Sequence, residues 1–129
     1  MRTKQQYNQF QAFEVKKSES EIQSEIIQFL MDSGFLVVRV NSFARSVGPR
    51  FIRSYLIQGF EHLSKGFPDI LALRGSSALI VECKSKSGSL KPEQKDFRDF
   101  AAQYKVKVLT ARKVDDVRAY LENTPFDSS

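Results

Sequence analysis

The sequence predicts an α/β fold in which helices pack against one mixed β-sheet. Amphipathic stripes with three- and four-residue steps occur near both ends of the 129-residue chain, and short β-branched apolar runs lie between them. In chain order the segments read α-β-β-β-β-α-β-α, and a chain of this length can bury one substantial core. We therefore expect a single domain built on one mixed sheet.

The composition narrows the class of protein. With 41% hydrophobic and 27% charged residues, the chain is typical of a globular domain. No apolar run approaches the ~20 residues that cross a membrane, and the N-terminus lacks the apolar stretch of a secretory signal. One cysteine and one histidine exclude an internal disulfide and a structural zinc site. We expect a cytoplasmic or nucleoid-associated protein, and a net charge of +5 favours an anionic partner.

The first helix is predicted from Ser18 to a stop at Gly34. Residues 1–17 before it show little periodicity and are expected to form a mobile or loosely docked arm. Ser18 and Glu21 have the spacing of a capping box, and glycine commonly ends a helix. The apolar stripe of this helix comprises Ile22, Ile26, Phe29 and Leu30.

Two strands and a loop are predicted next. The strands, "FLVVRVNS" (35–42) and "RFIRSYLI" (50–57), are rich in β-branched and aromatic residues. The stretch "QGFEHLSKG" (58–66) is predicted to be a loop because of its glycines and polar residues.

The C-terminal third is predicted as helix, strand and helix. "SLKPEQKDFRDFAAQY" (89–104) tolerates Pro92 in its first turn, and its apolar stripe comprises Phe97, Phe100, Ala101 and Tyr104. "KVKVLTA" (105–111) is a strand, and "VDDVRAYLEN" (114–123) is a short helix that carries Val114, Val117 and Leu121.

The segment "GFPDILALRGSSALIVECKSK", from Gly66 to Lys86, predicts a β-hairpin with charged residues in an apolar setting. Gly75-Ser76 suits a two-residue turn with glycine at the first central position. This register places Leu71 opposite Ile80 and Leu73 opposite Ala78. By extension it places Asp69 opposite Glu82, with Lys84 on the same face as Glu82.

Two opposed carboxylates on a buried strand pair destabilise the pair unless their charge is offset. A proton shared between Asp69 and Glu82 is one solution, and a divalent cation bound between them is another. A hard cation such as Mg²⁺ takes oxygen ligands, including one or two carboxylates. The alternative is that all three charged residues lie at solvated strand ends, where charge pairing is weak.

These residues carry a resemblance to a known family. Pro68-Asp69, twelve intervening residues and Glu82-Cys83-Lys84 resemble the motif of the PD-(D/E)XK nucleases. The surrounding segments resemble a stand-alone VRR-NUC domain and are also akin to archaeal and phage Holliday-junction resolvases. The segments are "MDSGFLVVRVNS", "ARSVGPRFIRSYLI", "GFPDILAL", "LIVECKSKSGSLKPEQKDF" and "VKVLTARKVDDV".

The resemblance implies a metal-dependent phosphodiesterase with a restriction-endonuclease-like αβββαβ core over residues 18–122, followed by a tail over 123–129. Asp69, Glu82 and the backbone carbonyl of Cys83 would hold Mg²⁺, and Mn²⁺ would be an alternative to it. Lys84 would orient or help deprotonate the attacking water and stabilise charge on the phosphate.

Two further positions are suggested by the resemblance. Members place a Glu or Gln of the first helix in the site, and by distance from Gly34 the best match is Gln23, with Glu21 and Glu25 as neighbours. Many members carry a glutamine just after the motif strand, and Gln94 matches it. Glu21 also fits a capping role, and Gln94 also fits an ordinary helix start.

Basic residues around the motif are expected to bind the phosphate backbone of DNA. His62 has no nucleophile at a recognisable spacing and is not expected to be catalytic. The side chain of Cys83 alternates with Glu82 and Lys84 and is expected to face the core. Phe43 and Phe60 could stack on bases or cover a partner subunit. The expected DNA-binding residues are Arg39, Arg45, Arg50, Arg53, Lys65, Lys86 and Lys91.

The sequence therefore predicts a Mg²⁺-dependent DNA endonuclease that acts on branched DNA, such as a Holliday junction or a flap, as a homodimer without a membrane partner. Two other functions fit the same residues. One is a sequence-specific homing- or restriction-type nuclease, and the other is a DNA-binding or assembly module that does not cut.

Overall fold

The computed structural model describes residues 17–40, 58 and 61–124 of the chain. The predicted strand over 50–57 and almost all of the predicted N-terminal arm lie outside these residues. Eight elements are described. They are α1 (Glu19–Asp32), β1 (Leu36–Arg39), α2 (Glu61–Lys65), β2 (Ile70–Arg74), β3 (Ser77–Cys83), α3 (Pro92–Ala102), β4 (Val108–Ala111) and α4 (Val114–Asn123).

The four described strands form one sheet in the order β1-β2-β3-β4. The pairs β1–β2 and β2–β3 are antiparallel, whereas β3 and β4 are parallel. Because parallel neighbours need a crossover connection, α3 lies between β3 and β4 in the chain. The predicted mixed sheet with flanking helices is confirmed, and it is consistent with a restriction-endonuclease-like core.

The hairpin of β2 and β3 has the predicted register. Leu71 pairs with Ile80 and Leu73 pairs with Ala78. Gly75 has φ +60, the left-handed value that a tight hairpin turn requires at its first central position. Extending the ladder by one residue beyond Ile70 and Val81 brings Asp69 opposite Glu82.

The helix α1 begins and ends as the sequence predicts. The Oγ atom of Ser18 accepts a hydrogen bond from the backbone N–H of Glu21 at 3.1 Å. Gly34 has φ +90, and its N–H donates to the carbonyl of Met31 at 3.0 Å. Both ends therefore satisfy backbone groups that have no partner within the helix.

Helices cover both faces of the sheet. On one face, α1 and α4 bury Ile22, Ile26, Leu30 and Val117 in a cluster with the inward side chains of the strands, which include Ile70, Ala72, Leu79, Val81 and Cys83. On the other face, Leu63 of α2 packs with Phe97 and Ala101 of α3. The charged residues of the hairpin lie at the end of the sheet at which β2 begins and β3 ends.

The prediction of a loop over 58–66 is wrong for its second half, which contains the helix α2. Leu63 is only 9% exposed because it packs in the cluster with Phe97 and Ala101. A five-residue helix is too short to be stable alone or to show a helical period in its sequence. Its stability therefore comes from packing on α3.

The apolar stripe of α3 ends earlier than predicted. Phe97 and Ala101 are buried, but Tyr104 lies beyond the last residue of the helix and is 58% exposed. The ring of Tyr104 contacts only the flank of this layer, with its centroid 5.3 Å from that of Phe100. Among the described helices, none has the length and apolar character to cross a membrane.

Gly66 joins α2 to the strand that carries Asp69 and lies against the first turn of α3. A Cβ atom at this position would lie 1.8 Å from the carbonyl oxygen of Glu93 and 3.1 Å from the backbone nitrogen of Gln94. Both atoms belong to the backbone, so neither can move aside by a rotamer change. The absence of a side chain at Gly66 therefore sets how closely α3 approaches Asp69.

We expect Gly66→Ala to lower the free energy of unfolding by about 2 kcal/mol or more, because overpacking against backbone forces α3 to shift. Gly88→Ala is the matched control, since its Cβ would meet the rotatable Ser85 Oγ at 2.9 Å. It should cost less than about 1 kcal/mol. Urea unfolding of both variants checks this, and equal costs would contradict the role assigned to Gly66.

Candidate active site

Asp69 and Glu82 meet where β2 begins and β3 ends. The Oδ2 atom of Asp69 accepts a hydrogen bond from the backbone N–H of Cys83 at 2.8 Å. Glu82 is 1% exposed and Asp69 is 9% exposed, so both carboxyl groups are withdrawn from bulk water. The arrangement that the hairpin register predicts is therefore present at this end of the sheet.

A third carboxylate comes from Glu19, the first residue of α1. One carboxylate oxygen from each of Glu19, Asp69 and Glu82 lies within 4.8 Å of the other two. Glu19 is exposed, whereas the other two are buried. The cluster therefore opens to solvent on the side of α1, and a ligand can reach it from that side.

Glu19 was not predicted from the sequence, because the distance from Gly34 used to locate the site residue of α1 led to Gln23. Glu19 precedes Gln23 by four residues, so both side chains lie on one face of the helix, one turn apart. The four-residue step from Gln23 back to Glu19 is the signal in the sequence that could have identified Glu19. The cap at Ser18 places Glu19 in the first turn of α1, at the end of the helix that lies near Asp69 and Glu82.

Gln94 connects the start of α3 to the carboxyl group of Glu82. Its Nε2 atom donates a hydrogen bond to Glu82 Oε1 at 2.9 Å, and its own Oε1 accepts from the backbone N–H of Lys91 at 2.8 Å. The second bond is half of the capping box of α3. Because both ends of the amide are used, its orientation is determined, and the amide presents a donor to Glu82.

Lys84 lies on the same side of the strand as Glu82. Its Nζ atom is 3.9 Å from Glu82 Oε1, and the residue is only 4% exposed. One lysine beside three carboxylates leaves the cluster with excess negative charge when all three are ionised. This excess is what a cation could neutralise.

Glu82 is the most strongly perturbed group of the cluster. Burial, and after it the negative charge of Asp69, raise the pKa of Glu82 to about 9, and the positive charge of Lys84 opposes the rise. Its second oxygen, Oε2, is buried and has no hydrogen-bond partner. An unsatisfied buried oxygen costs free energy unless a proton or a cation occupies it.

The donor set fits a hard divalent cation. All three side chains offer carboxylate oxygens, which Mg²⁺ and Mn²⁺ accept, and none offers the sulfur or imidazole ligands that zinc prefers. The unpartnered Oε2 of Glu82 is the atom that most needs such a partner. Glu19, Asp69 and Glu82 are therefore the residues that could hold a metal.

The site residues predicted on α1, which do not include Glu19, are not among the clustered carboxylates. Gln23 accepts two hydrogen bonds from Arg39, at 3.0 Å from Nε and 2.6 Å from Nη2. The backbone of Glu21 takes part in the helix cap, and Glu25 forms an ion pair with Lys17 at 2.9 Å. Catalytic roles for Gln23 and Glu21 stay predictions.

The predicted DNA-binding residues that the structure describes are Arg39, Lys65, Lys86 and Lys91. All four are exposed. Arg45, Arg50 and Arg53 lie outside the described residues, as do Phe43, Phe60 and the side chain of His62. Binding of DNA by any of these residues stays a prediction.

Cys83 faces the core as predicted. Its side chain is fully buried in the cluster beneath α1 and α4. Burial raises the pKa of the Cys83 thiol, and the negative charges of Asp69 and Glu82 raise it further. The thiolate that a nucleophilic cysteine needs is therefore strongly disfavoured, and only the backbone carbonyl of Cys83 could serve the site.

The sequence of this chain matches one known protein family. The family model described as the VRR-NUC domain matches residues 40–113, which include Asp69, Glu82, Lys84 and Gln94. The chain belongs to the VRR-NUC family. This family lies within the PD-(D/E)XK nuclease superfamily, as the resemblance of the motif suggested. No curated protein and no solved structure matches the chain significantly.

Membership of the VRR-NUC family implies that the protein is a nuclease with DNA as its substrate. The matched range begins after α1, so Glu19 lies outside it. The third carboxylate is therefore known from the structure alone. Together, the family and the three carboxylates suggest a divalent metal.

We expect the metal-free protein to lose stability as pH rises from about 5 to 9. The pKa of Glu82 is about 9 in the folded state, against about 4.3 for an unperturbed glutamate. The folded protein therefore holds a proton that the unfolded chain releases. The stability that this proton contributes is fully present below the pKa of the unfolded state. It is lost as pH rises to the pKa of the folded state, at up to about 1.4 kcal/mol per pH unit.

Urea unfolding in EDTA across this pH range measures the effect, with Glu82→Gln as the comparison. The glutamine keeps the shape of the side chain but cannot titrate, so the difference in slope isolates Glu82. Identical slopes for the two proteins would show that Glu82 is ionised in the folded metal-free state.

Proposed function

We propose that the protein is a metal-dependent DNA endonuclease that hydrolyses phosphodiester bonds at the Glu19–Asp69–Glu82 cluster. The observation that carries the proposal is that Glu82, whose buried Oε2 atom has no hydrogen-bond partner, offers a carboxylate oxygen within 4.8 Å of oxygens of Glu19 and Asp69. A bound Mg²⁺ or Mn²⁺ would neutralise charge on the phosphodiester and make water more acidic.

The residues of the chain have separate roles in this proposal. Asp69 and Glu82 would hold the cation together with the backbone carbonyl of Cys83, and Glu19 would complete the carboxylate set from the solvent side. Asp69 is oriented by its hydrogen bond from the Cys83 N–H at 2.8 Å. Gln94 orients Glu82 through the bond to Oε1 at 2.9 Å. Such supporting bonds fix the direction of a ligand oxygen.

Lys84 would act on the phosphate and on the attacking water from its position beside the carboxylates. Its Nζ atom lies 3.9 Å from Glu82 Oε1, and the stem is buried, so the head group is held beside the carboxylates. From there it can donate a hydrogen bond to a phosphate oxygen and stabilise the charge that develops there. It can also orient the water that attacks the phosphorus.

We expect Asp69→Asn, Glu82→Gln and Lys84→Met each to lower the cleavage rate by about 100-fold or more while the fold is retained, because each removes a group that acts on the transition state. Glu19→Gln should raise the Mg²⁺ concentration for half-maximal activity, because it replaces one carboxylate of the cluster by a neutral amide. EDTA should abolish cleavage by the unmodified protein.

The matched control is Glu122→Gln, the same change at an exposed position of α4, and it should leave cleavage unchanged. Gel assays of cleavage and circular dichroism of each variant make the comparison. Full activity of Glu82→Gln, or cleavage that EDTA does not affect, would defeat the proposal.

Within this function we propose that branched DNA, such as a Holliday junction or a flap, is the preferred substrate and that the protein acts as a homodimer. The resemblance to resolvases supports both points, because a symmetric junction is cut by two paired sites. A nuclease acting on such DNA would work in the cytoplasm or at the nucleoid.

We expect four-way junctions and flaps to be cut at least about tenfold faster than linear duplex of the same sequence in Mg²⁺, because recognition through shape does not depend on base contacts. A panel of these substrates, with single strands included, measures the preference. Faster cutting of one linear sequence would favour a restriction-type nuclease, and binding without cutting in Mg²⁺ or Mn²⁺ would favour a non-cutting module.

A further inference from the structure

Two arginines lie at the same end of the sheet as the carboxylates, one on each flank. Arg39 is the last residue of β1, and Arg112 directly follows β4. The backbone joins both positions to the site, because the N–H of Val40 donates to the carbonyl of Asp69 at 2.8 Å and the N–H of Lys84 donates to that of Ala111 at 3.0 Å. Of the four described strands, β1 and β4 are the outer two, so the arginines bracket Asp69 and Glu82.

The guanidinium group of Arg39 is oriented by an uncharged partner. Both Nε and Nη2 donate to the amide oxygen of Gln23, at 3.0 Å and 2.6 Å. These two nitrogens form one side of the planar group. Both N–H bonds of Nη1 and one of Nη2 are therefore left for another acceptor.

Arg112 is oriented in the same manner by backbone. Its Nη1 atom donates to the carbonyls of Ser85 and Gly88, both at 2.6 Å, and lies 3.3 Å from the carbonyl of Lys86. The loop that follows β3 thus wraps around one end of the guanidinium group. The Nε and Nη2 atoms carry three further N–H bonds, and none of these donates to another of the described residues.

Neither arginine forms an ion pair with any residue in the described part of the chain. The nearest acid to Arg112 in sequence, Asp116, accepts a hydrogen bond from its backbone N–H at 2.8 Å. By contrast, Arg118 on α4 is paired with Asp115. Carbonyl and amide oxygens orient a guanidinium group but leave its positive charge intact, so both arginines can bind an anion at full charge.

We propose that Arg112 and Arg39 bind the two backbone phosphates that flank the phosphate positioned at the carboxylate cluster. The proposal rests on the nuclease function proposed above. Neighbouring strands are roughly 4.8 Å apart, so three spacings separate the two arginines by roughly 14 Å. Gln23 holds the guanidinium group of Arg39 on the β1 flank, and the loop over 85–88 holds that of Arg112 on the β4 flank. Each is therefore placed to contact a different phosphate along a DNA strand that crosses the end of the sheet.

Arg112 is the new assignment, because charge along the sequence does not single it out. It lies in "LTARKV" with Lys113 beside it, and nothing in this stretch of sequence shows that backbone carbonyls hold the guanidinium group of Arg112. A held arginine binds phosphate with less loss of conformational freedom than a free one. The loop contacts of Arg112 thus favour a binding role in addition to a structural one.

The test combines arginine variants with DNA in which single phosphates are replaced by uncharged methylphosphonates. Binding is measured in Ca²⁺ on a four-way junction, with the replacement moved one phosphate at a time across the cleavage site. We expect the unmodified protein to lose about tenfold in affinity at one phosphate on each side of the site. Arg112→Gln should bind unmodified DNA about tenfold more weakly and should be insensitive to the replacement on one side only.

Arg39→Gln should be insensitive on the other side. Each variant should also reduce the slope of log Kd against log salt by about one. Arg118→Gln, an exposed arginine that is already paired, is the matched control and should change neither slope nor pattern. If Arg112→Gln only loosened the loop, binding would weaken but the variant would stay sensitive to replacement of every phosphate. Only loss of a direct contact makes the effects of the substitution and of one methylphosphonate non-additive.

Suppose that the unmodified protein cuts the junction in Mg²⁺ but Arg112→Gln stays sensitive to every methylphosphonate replacement. The assignment of Arg112 would then be wrong, and the nuclease function would stand. An unmodified protein that neither binds nor cuts the junction or a linear duplex would overturn both proposals together.

Discussion

The arrangement of this end of the molecule depends on the burial of Glu82. A carboxyl group that is 1% exposed beside two others needs hydrogen bonds together with a proton or a nearby positive charge, because burial of an unpaired ion is costly. Gln94 and Lys84 both approach the same oxygen, Oε1. The other oxygen is left without a partner, and this incomplete compensation is the feature that a metal ion would complete.

The elements around Glu82 are packed so that this compensation is possible. Gly66 allows α3 to approach within contact of the loop before Asp69, and the approach brings Gln94 to Glu82. The same amide caps α3 through Lys91, so the stability of the helix start and the orientation of Glu82 share one side chain. A short helix, α2, supports this layer from behind through Leu63.

Charge is distributed differently at the centre and at the flanks of the site. At the centre, burial and the negative charge of Asp69 raise the pKa of Glu82 to about 9. At the flanks, Arg39 and Arg112 are held by neutral oxygens and retain their charge. A polyanion that crosses this end of the sheet would meet cationic groups on either side of a place that can take up a divalent cation.

The sequence by itself determined the class of the fold, the register of the hairpin and the meeting of Asp69 with Glu82. These follow from local rules: alternation along a strand, glycine in a two-residue turn, and apolar stripes of helical period. The capping of α1 and the core position of Cys83 followed from equally local patterns. Residues that depend on a single element and its immediate partner could therefore be predicted.

Only the tertiary structure decided which groups from distant elements join the hairpin. Glu19 reaches the carboxylates because the cap of α1 and its packing on the sheet set where the helix starts and which way its first turn points. The helix α2 exists because α3 covers Leu63, and Arg112 is held by a loop 24 to 27 residues before it. Such contacts carry no local signature, since their free energy arises only when separate elements have already packed together.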